Sequence, residues 1–158
     1  MKLSRKTFDP ASPRTQVAAL PWRSNPNVEI LVASSRETRR WVLPKGWPMK
    51  GLSAQGSAER EALEEAGIEG IIATEAIGSF HYIKRMKNGS AQLISVDVYP
   101  MQVTRQRKNW PEKHERTTRW LTVEAAAAAV HEPERQELIC VVGASLQSQG
   151  KAAQLAAG

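Results

Sequence analysis

The sequence is poor in the features that mark secreted or membrane proteins. It has one cysteine, Cys140, among 158 residues, so an internal disulfide and a cysteine-based zinc cluster are both excluded. It has no run of about 18 apolar residues, the length that a membrane-spanning helix requires. Residues 1–14 lack the apolar core of a secretion signal. These absences predict a soluble, cytoplasmic protein without a membrane partner, and Cys140 is predicted to be a small core residue.

The chain carries an excess of positive charge. Lys and Arg number 22 against 16 Asp and Glu, which gives a net charge of +6 and a pI near 9.8. A basic chain can bind a small polyanion or a nucleic acid, or carry a solvated basic surface. The sequence shows neither a stacking platform nor a recognition-helix motif, so a nucleic-acid partner is the weakest of these interpretations. The 41% of hydrophobic residues is enough for one folded domain.

Apolar segments and turn residues predict one domain over residues 15–144, with a loose arm at 1–14 and a flexible tail at 145–158. Strands are predicted at 15–23, 28–33, 41–43, 71–77, 79–84, 92–103 and 116–121. A polar, basic loop is predicted at 104–114. Helices are predicted from either Ser53 or Ser57 to Gly67, because both serines are suitable N-caps, and at 122–130 and 133–144. This order favours an α+β protein, with a mixed sheet that has helices on both faces.

Three glutamates crowd together near the end of the first predicted helix. Glu61 stands three residues before Glu64 and four before Glu65, so the Cβ atoms are roughly 5–6 Å apart. Like charges at this spacing cost the helix roughly 0.2–0.5 kcal/mol per pair, and the macrodipole disfavours anions near Gly67. No Lys or Arg stands four residues after any of the three. The pattern therefore predicts a cation supplied from outside the helix, and a divalent metal is the obvious candidate.

Residues 46–68, GWPMKGLSAQGSAEREALEEAGI, resemble the Nudix box of the Nudix hydrolases. That box reads Gly, five residues, Glu, seven residues, Arg-Glu-apolar-any-Glu-Glu-any-Gly-apolar. Gly46 takes the first position and residues 60–68 fill the last block in register, whereas Leu52 stands in place of the first Glu. The segments VEILVASSRETRRWVLPKGW, GSFHY and TTRWLTVEAA look like the branch that contains the diphosphoinositol polyphosphate and diadenosine polyphosphate hydrolases. The resemblance covers roughly residues 15–140 and implies the family's α/β/α sandwich around a mixed sheet.

The resemblance also implies a metal site with Mg²⁺ or Mn²⁺. Glu61 and Glu65 would be the main ligands, Glu64 would bind a further metal or a metal-bound water, and the backbone carbonyl of Gly46 would be an additional oxygen donor. In the family, the arginine at the position of Arg60 pairs with the first Glu of the box and orients the loop on the helix. Leucine at position 52 cannot make that pair, which puts this role of the arginine in doubt.

The activity implied by the family is hydrolysis of a phosphoanhydride in a polyphosphorylated small molecule. The candidates for the general base are Glu64, Glu112 and Glu115. The last two are included because Nudix enzymes often place a base outside the box. The departure at Leu52 leaves a second hypothesis open, a non-catalytic Nudix-like module that binds a polyphosphate. Nudix proteins occur as monomers and as homodimers, and the sequence does not choose between these states.

Basic residues cluster in loops on both sides of the box. If these loops surround the acidic helix, they would bind extra phosphates of the substrate; the alternative is that they are solvated hairpin tips. Trp47 and Trp110 lie in the same regions. The sequence does not decide whether each of them stacks on a base of the substrate or has a structural role. The predicted substrate-binding residues are Arg40, Lys45, Lys84, Arg85, Arg107 and Lys108.

Overall fold

The computed structural model describes residues 14–24 and 26–157. The predicted arm at 1–14 lies outside the described residues, except for Arg14, which begins the first strand. The strands are β1 (Arg14–Ser24), β2 (Val28–Ser34), β3 (Trp41–Val42), β4 (Lys45–Gly46), β5 (Ile68–Ile72), β6 (Gly78–Arg85), β7 (Ala91–Gln106) and β8 (Thr118–Thr122). The helices are α1 (Ala54–Ala66), α2 (Val123–Ala129) and α3 (Pro133–Ala157).

Strand β1 lies at the centre of a mixed sheet. It pairs in parallel with β7, while its pairing with β2 is antiparallel. The main path of the sheet runs β3-β2-β1-β7-β5; β4 also pairs with β1, β6 with β7 and β8 with β2. A central strand is covered on both faces, which explains the continuous apolar run in β1. The predicted mixed sheet is confirmed.

Helices cover both faces of this sheet. Side chains of successive strand residues point to opposite faces, and β1 follows this alternation. Leu20 packs in a core cluster with Val123 of α2 and Ile139 of α3, whereas Ala19 packs with Ala62 of α1. Ala58, Ala62 and Ala66 of α1 are fully buried and let the helix approach the sheet closely. The architecture is the α+β sandwich that the sequence predicts.

Three predicted elements in the middle of the chain have wrong boundaries. The strand placed at 71–77 is β5, which runs from Ile68 to Ile72 and begins directly after the helix because Ile68 is fully buried. The polar loop placed at 104–114 begins only after Gln106, because pairing of Ile68 with Gln106 extends β7 beyond its apolar part. Similarly, the strand placed at 116–121 begins at Thr118.

The end of the chain also differs from its predicted structure. Helix α3 continues to Ala157, so residues 145–157 are helical, in keeping with their content of Ala, Gln, Leu and Lys, which favour helices. Cys140 is exposed on α3 and is not a core residue; its neighbours Ile139 and Val142 are the buried ones. Among the described residues, no helix combines the length and the apolarity needed to cross a membrane.

Candidate active site

Helix α1 and the loop before it position the predicted site residues. Ser53 is the N-cap, and its hydroxyl accepts a hydrogen bond from the Gly56 N–H (3.0 Å). Ser57 has another role, since its buried hydroxyl accepts from the Met49 N–H (2.8 Å) and fastens the loop to the helix. The helix ends at Gly67, whose φ of 69° is a left-handed conformation that favours glycine.

Gly46 and Glu61 are in close contact, which explains the first glycine of the box. A Cβ atom at position 46 would lie 2.4 Å from Cδ of Glu61 and 2.5 Å from its Oε1. Strand β4 holds Gly46 in place by pairing it with Val17 of β1. Glycine leaves room for the carboxylate in its present position, so the backbone of β4 and the acidic face of α1 form one wall of a site.

The three box glutamates line a cavity of about 1230 Å³. Burial is the main cause that raises the pKa of Glu65 to about 8; Glu61 and Glu112 contribute to the rise, while Arg116 and Lys45 oppose it. Burial, together with Glu64 and Glu112, likewise raises the pKa of Glu61 to about 7. Negative charge is therefore concentrated where solvent screens it poorly, and added positive charge would stabilise the ionised carboxylates.

Arg116 provides much of the counter-charge, a role that the sequence prediction missed. Its Nη2 donates to Oε1 of Glu65 (3.3 Å), its Nε to Oε1 of Glu112 (3.0 Å), and its Nη1 to the carbonyl of Ser34 (3.1 Å). The N–H of Lys45 donates to the other oxygen of Glu65 (3.3 Å). The prediction that positive charge must come from outside the helix is thus met partly by the chain itself. Helical spacing reveals only charges on the same helix, and Arg116 is 51 residues away from Glu65 in sequence.

Arg60 pairs with a different glutamate from the one that the family pattern provides. Its Nε donates to Oε1 of Glu64 at 3.2 Å, an i, i+4 pair on the exposed part of α1. Leu52, at the position of the missing box glutamate, is 48% exposed. The arginine therefore neutralises one member of the carboxylate cluster from four residues before it, on the N-terminal side of the glutamates.

Residues 107–117 form a loop that packs against the end of α1. The N–H groups of Arg107 and Glu112 donate to the carbonyls of Gly67 (2.7 Å) and Glu64 (3.0 Å). The indole N–H of Trp110 donates to the carbonyl of Glu65 (3.2 Å), and its ring lies where a side chain at position 67 would be. Trp110 is therefore a structural cap of the helix, and it does not line the cavity.

Two of the three possible general bases line the cavity. Glu64 and Glu112 do so, while Glu115 is not among the lining residues and instead pairs with Arg36 at 3.3 Å. Arg36 also lies 3.7 Å from Glu112. The loop thus brings one glutamate from outside the box to the acidic face of α1.

Four of the six predicted substrate-binding residues line the cavity, namely Arg40, Lys45, Lys84 and Arg85. Trp47 lines it too, with the Lys84 ammonium 5.4 Å from the centre of its ring. Arg107 and Lys108 are not among the lining residues. Arg107 donates to Glu69 at 2.6 Å, because the loop turns it towards β5. The cavity is thus acidic along α1 and basic along β4 and β6.

The donor chemistry of the site fits a hard divalent cation. Carboxylates and a backbone carbonyl are the oxygen ligands that Mg²⁺ prefers. Burial and the neighbouring carboxylates raise the pKa of Glu61 and of Glu65, and a bound cation would oppose both effects. No three His, Cys, Asp or Glu residues within the described part of the chain are arranged to hold one metal ion. The side chains of Glu65 and Arg116, now paired, would have to rearrange for Glu65 to become a ligand.

A mixed sheet between helices, with a glutamate-bearing helix facing a cation-lined cavity, defines the Nudix class of fold. The sequence matches the profile of the NUDIX domain over residues 13–142. The chain belongs to the Nudix family.

Relatives and solved structures agree with this assignment. The chain is 31% identical to Nudix hydrolase 17, mitochondrial, of Arabidopsis thaliana over 77% of its length and 64% of that protein. It is 30% identical to diphosphoinositol polyphosphate phosphohydrolase 3-beta of Homo sapiens over 85% of its length and 80% of that protein. The fold is similar to that of a C. elegans Ap4A hydrolase, with a TM-score of 0.60 and 18% identity over 85% of this chain and 99% of the other. The chain spans between 50% and 64% of the length of four Arabidopsis relatives.

Proposed function

We propose that this domain hydrolyses a phosphoanhydride in a polyphosphorylated small molecule, of the dinucleoside polyphosphate or diphosphoinositol polyphosphate type. One observation carries the proposal: the three box glutamates line the same cavity as Arg40, Lys45, Lys84 and Arg85. An acidic wall suits a cation, and a basic wall suits the phosphates beside the scissile bond. The human and C. elegans relatives are named for substrates with several phosphates.

The metal in this proposal is Mg²⁺ or Mn²⁺. Glu61 and Glu65 would be its main ligands, with Glu64 and the carbonyl of Gly46 as further oxygen donors. When bound, the ion would neutralise charge on the anhydride oxygens and lower the pKa of the attacking water. Lys45 and the other cations of the cavity would orient the phosphates and balance their charge.

Glu112 and Glu64 are the two general bases that the geometry supports. Glu112 is held by Arg116, and its loop is bonded to α1, whereas Glu64 is paired with Arg60. A general base contributes about 10²–10⁴-fold to the rate. Replacing the true base with glutamine should lower kcat within this range and leave KM nearly unchanged. Because Glu64 is also a proposed oxygen donor to the metal, steady-state kinetics of Glu112→Gln decide between the two: an unchanged kcat would exclude Glu112 as the base.

The proposal is tested by a substrate screen with and without Mg²⁺ or Mn²⁺. The panel contains dinucleoside polyphosphates, inositol pyrophosphates, nucleoside triphosphates and nucleotide sugars. We expect metal-dependent release of phosphate or nucleotide from the first two classes, and loss of turnover in Glu61→Gln with the fold intact. Glu59→Gln is the control, because Glu59 lies exposed on the same helix and outside the cavity. Full activity of Glu61→Gln and Glu65→Gln would refute the site.

A non-catalytic module that binds a polyphosphate is the second candidate. It is favoured by the exposed Leu52 at the position of a box glutamate and by the Arg60–Glu64 pair. If this candidate is correct, the parent protein binds but does not hydrolyse any member of the panel in the presence of metal. Comparison with Leu52→Glu then shows whether restoring the box residue creates turnover.

The cytoplasmic location and the choice between monomer and homodimer stay predictions. The Arabidopsis relatives are named as mitochondrial, so cell fractionation of the protein in its own organism is the relevant measurement. Analytical ultracentrifugation would decide the oligomeric state.

A further inference from the structure

Arg135 is a buried cation in the same cavity that none of the preceding roles uses. It lies in the first turn of α3, and only 3% of its surface is exposed. It lines the cavity together with His131 and Glu132, which immediately precede the helix. The beginning of α3 therefore forms part of the cavity wall, on a different element from the box glutamates.

The position of Arg135 is unfavourable for the free protein. A cation in the first turn opposes the helix macrodipole, whose positive end is there. Within the described part of the chain, the buried Nε of Arg135 has no hydrogen-bond partner, and neither has Oε2 of Glu132, although Nη2 of Arg135 lies 3.3 Å from that oxygen. The contact is therefore not the two-bond fork that arginine forms with a carboxylate in its strongest pairs. Arg135 retains unused capacity to donate hydrogen bonds.

Aromatic rings support Arg135 and two neighbouring cations. The guanidinium carbon of Arg135 lies 4.1 Å from the centre of the Phe80 ring. The ammonium groups of Lys45 and Lys84 lie 4.8 Å from the ring of Tyr82 and 5.4 Å from that of Trp47. An aromatic face attracts a cation through its quadrupole and does not occupy the N–H donors. The ring contacts thus do not use up the hydrogen-bond donors of the three cations.

We propose that Arg135, with Lys45 and Lys84, forms a second anion subsite that binds a phosphate group of the substrate that is not cleaved. Phosphate suits the site, because a guanidinium binds its oxygens through two parallel bonds and the N-terminus of a helix favours an anion. That this phosphate belongs to a substrate rests on the proposed function, whereas the binding of phosphate at Arg135 does not. The subsite selects molecules with at least one phosphate beyond the anhydride that is hydrolysed.

Binding of inorganic tripolyphosphate to the metal-free protein, measured by calorimetry in the presence of a chelator, tests the subsite without any turnover. We expect Arg135→Gln to weaken binding at least about tenfold, as loss of a charge-assisted bond implies, and Arg135→Lys to restore part of it. Arg119→Gln is the matched control and should bind as the parent does. Arg119 also lies over an aromatic ring, that of Trp41, but is exposed and does not line the cavity.

Glu132→Gln keeps the test decisive if Arg135→Gln does not fold. Glu132 is partly exposed, and its removal takes away the one carboxylate beside Arg135 among the described residues. We expect this variant to bind tripolyphosphate several-fold more tightly. Unchanged affinity in both Glu132→Gln and Arg135→Gln, or a parent protein that does not bind tripolyphosphate, would overturn the subsite.

Kinetics separate failure of the subsite from failure of the proposed function. If the parent hydrolyses a polyphosphate and Arg135→Gln has the same KM, the subsite is refuted while the function stands. If the parent binds tripolyphosphate through Arg135 and hydrolyses nothing in the panel, the function is refuted while the subsite stands. The expected result is a raised KM in Arg135→Gln, with kcat changed much less, because the subsite does not touch the reacting atoms.

Discussion

At the scale of single residues, Glu65 combines a structural cost with a proposed chemical role. It is 6% exposed, and burial is the main cause of its raised pKa. Arg116 and the Lys45 N–H bind its two oxygens. A protein selected only for stability would have no need of a carboxylate here. The arrangement suits a site where a bound cation offsets the repulsion.

Glu65→Gln should stabilise the metal-free protein. The pKa of Glu65 is about 8 in the folded state, raised from its ordinary value of 4.5. Between these two pH values the carboxyl group stays protonated in the folded protein but is ionised in the unfolded chain. Stability of the parent is therefore lost as the pH rises from about 5 to about 8. We expect the variant to gain on the order of 2 kcal/mol at pH 8, or roughly 4–8 °C in Tm.

Thermal unfolding between about pH 5 and pH 9, in the presence of a chelator, measures this effect. The difference in Tm between Glu65→Gln and the parent should grow with pH, whereas Glu59→Gln should follow the parent. A Tm for Glu65→Gln that falls below the parent at pH 8 would show that the ionised carboxylate stabilises the fold.

At the scale of elements, the loop at 107–117 is what joins Glu112 to the box helix. Its backbone bonds to Glu64 and Gly67 and the indole of Trp110 satisfy carbonyls at the end of α1. The close approach of Trp110 also gives Gly67 a second reason to be glycine, in addition to its positive φ. The loop acts as the C-terminal cap of the helix and as a support for the site.

Trp110→Ala should therefore reduce both stability and activity. We expect a loss of about 1–3 kcal/mol in the free energy of unfolding, from lost packing and an unsatisfied carbonyl. Trp110→Phe keeps most of the packing and should lose only about 1 kcal/mol. Chemical denaturation gives the stability, and kcat measured well below the unfolding transition gives the activity. Equal stability of Trp110→Ala and the parent would contradict the capping role.

At the scale of the whole molecule, local patterns predicted most of the fold and about half of the site. The apolar runs of β1 and β2, the restriction of the N-cap to Ser53 or Ser57 and the register of the box all follow from neighbours in sequence. Arg116 and Arg135 were missed because their roles depend on contacts across the fold with Glu65 and with the Phe80 ring. The pairing of β5 with β7, which extends the strand to Gln106, is non-local in the same way.

The net charge of +6 and the basic wall of the cavity predict a strong dependence on salt. Raising the ionic strength from about 0.01 M to about 1 M shortens the Debye length from about 30 Å to about 3 Å. We expect kcat/KM for a tetraphosphate substrate to fall at least about tenfold over this range, and that for a two-phosphate nucleotide sugar to fall less. Parallel salt dependence for the two substrates would show that the cations of the cavity do not select for phosphate number.

Hydrolysis in water labelled with a heavy oxygen isotope tests the central claim most directly. The purified protein is incubated with a dinucleoside polyphosphate or a diphosphoinositol polyphosphate and Mg²⁺, and the products are examined by mass spectrometry. The account predicts that one labelled oxygen enters a product phosphate in the parent and in Glu59→Gln, and that labelling is lost in Glu61→Gln and when Mg²⁺ is chelated. Labelling that persists undiminished in Glu61→Gln, or that does not depend on a divalent cation, would contradict it.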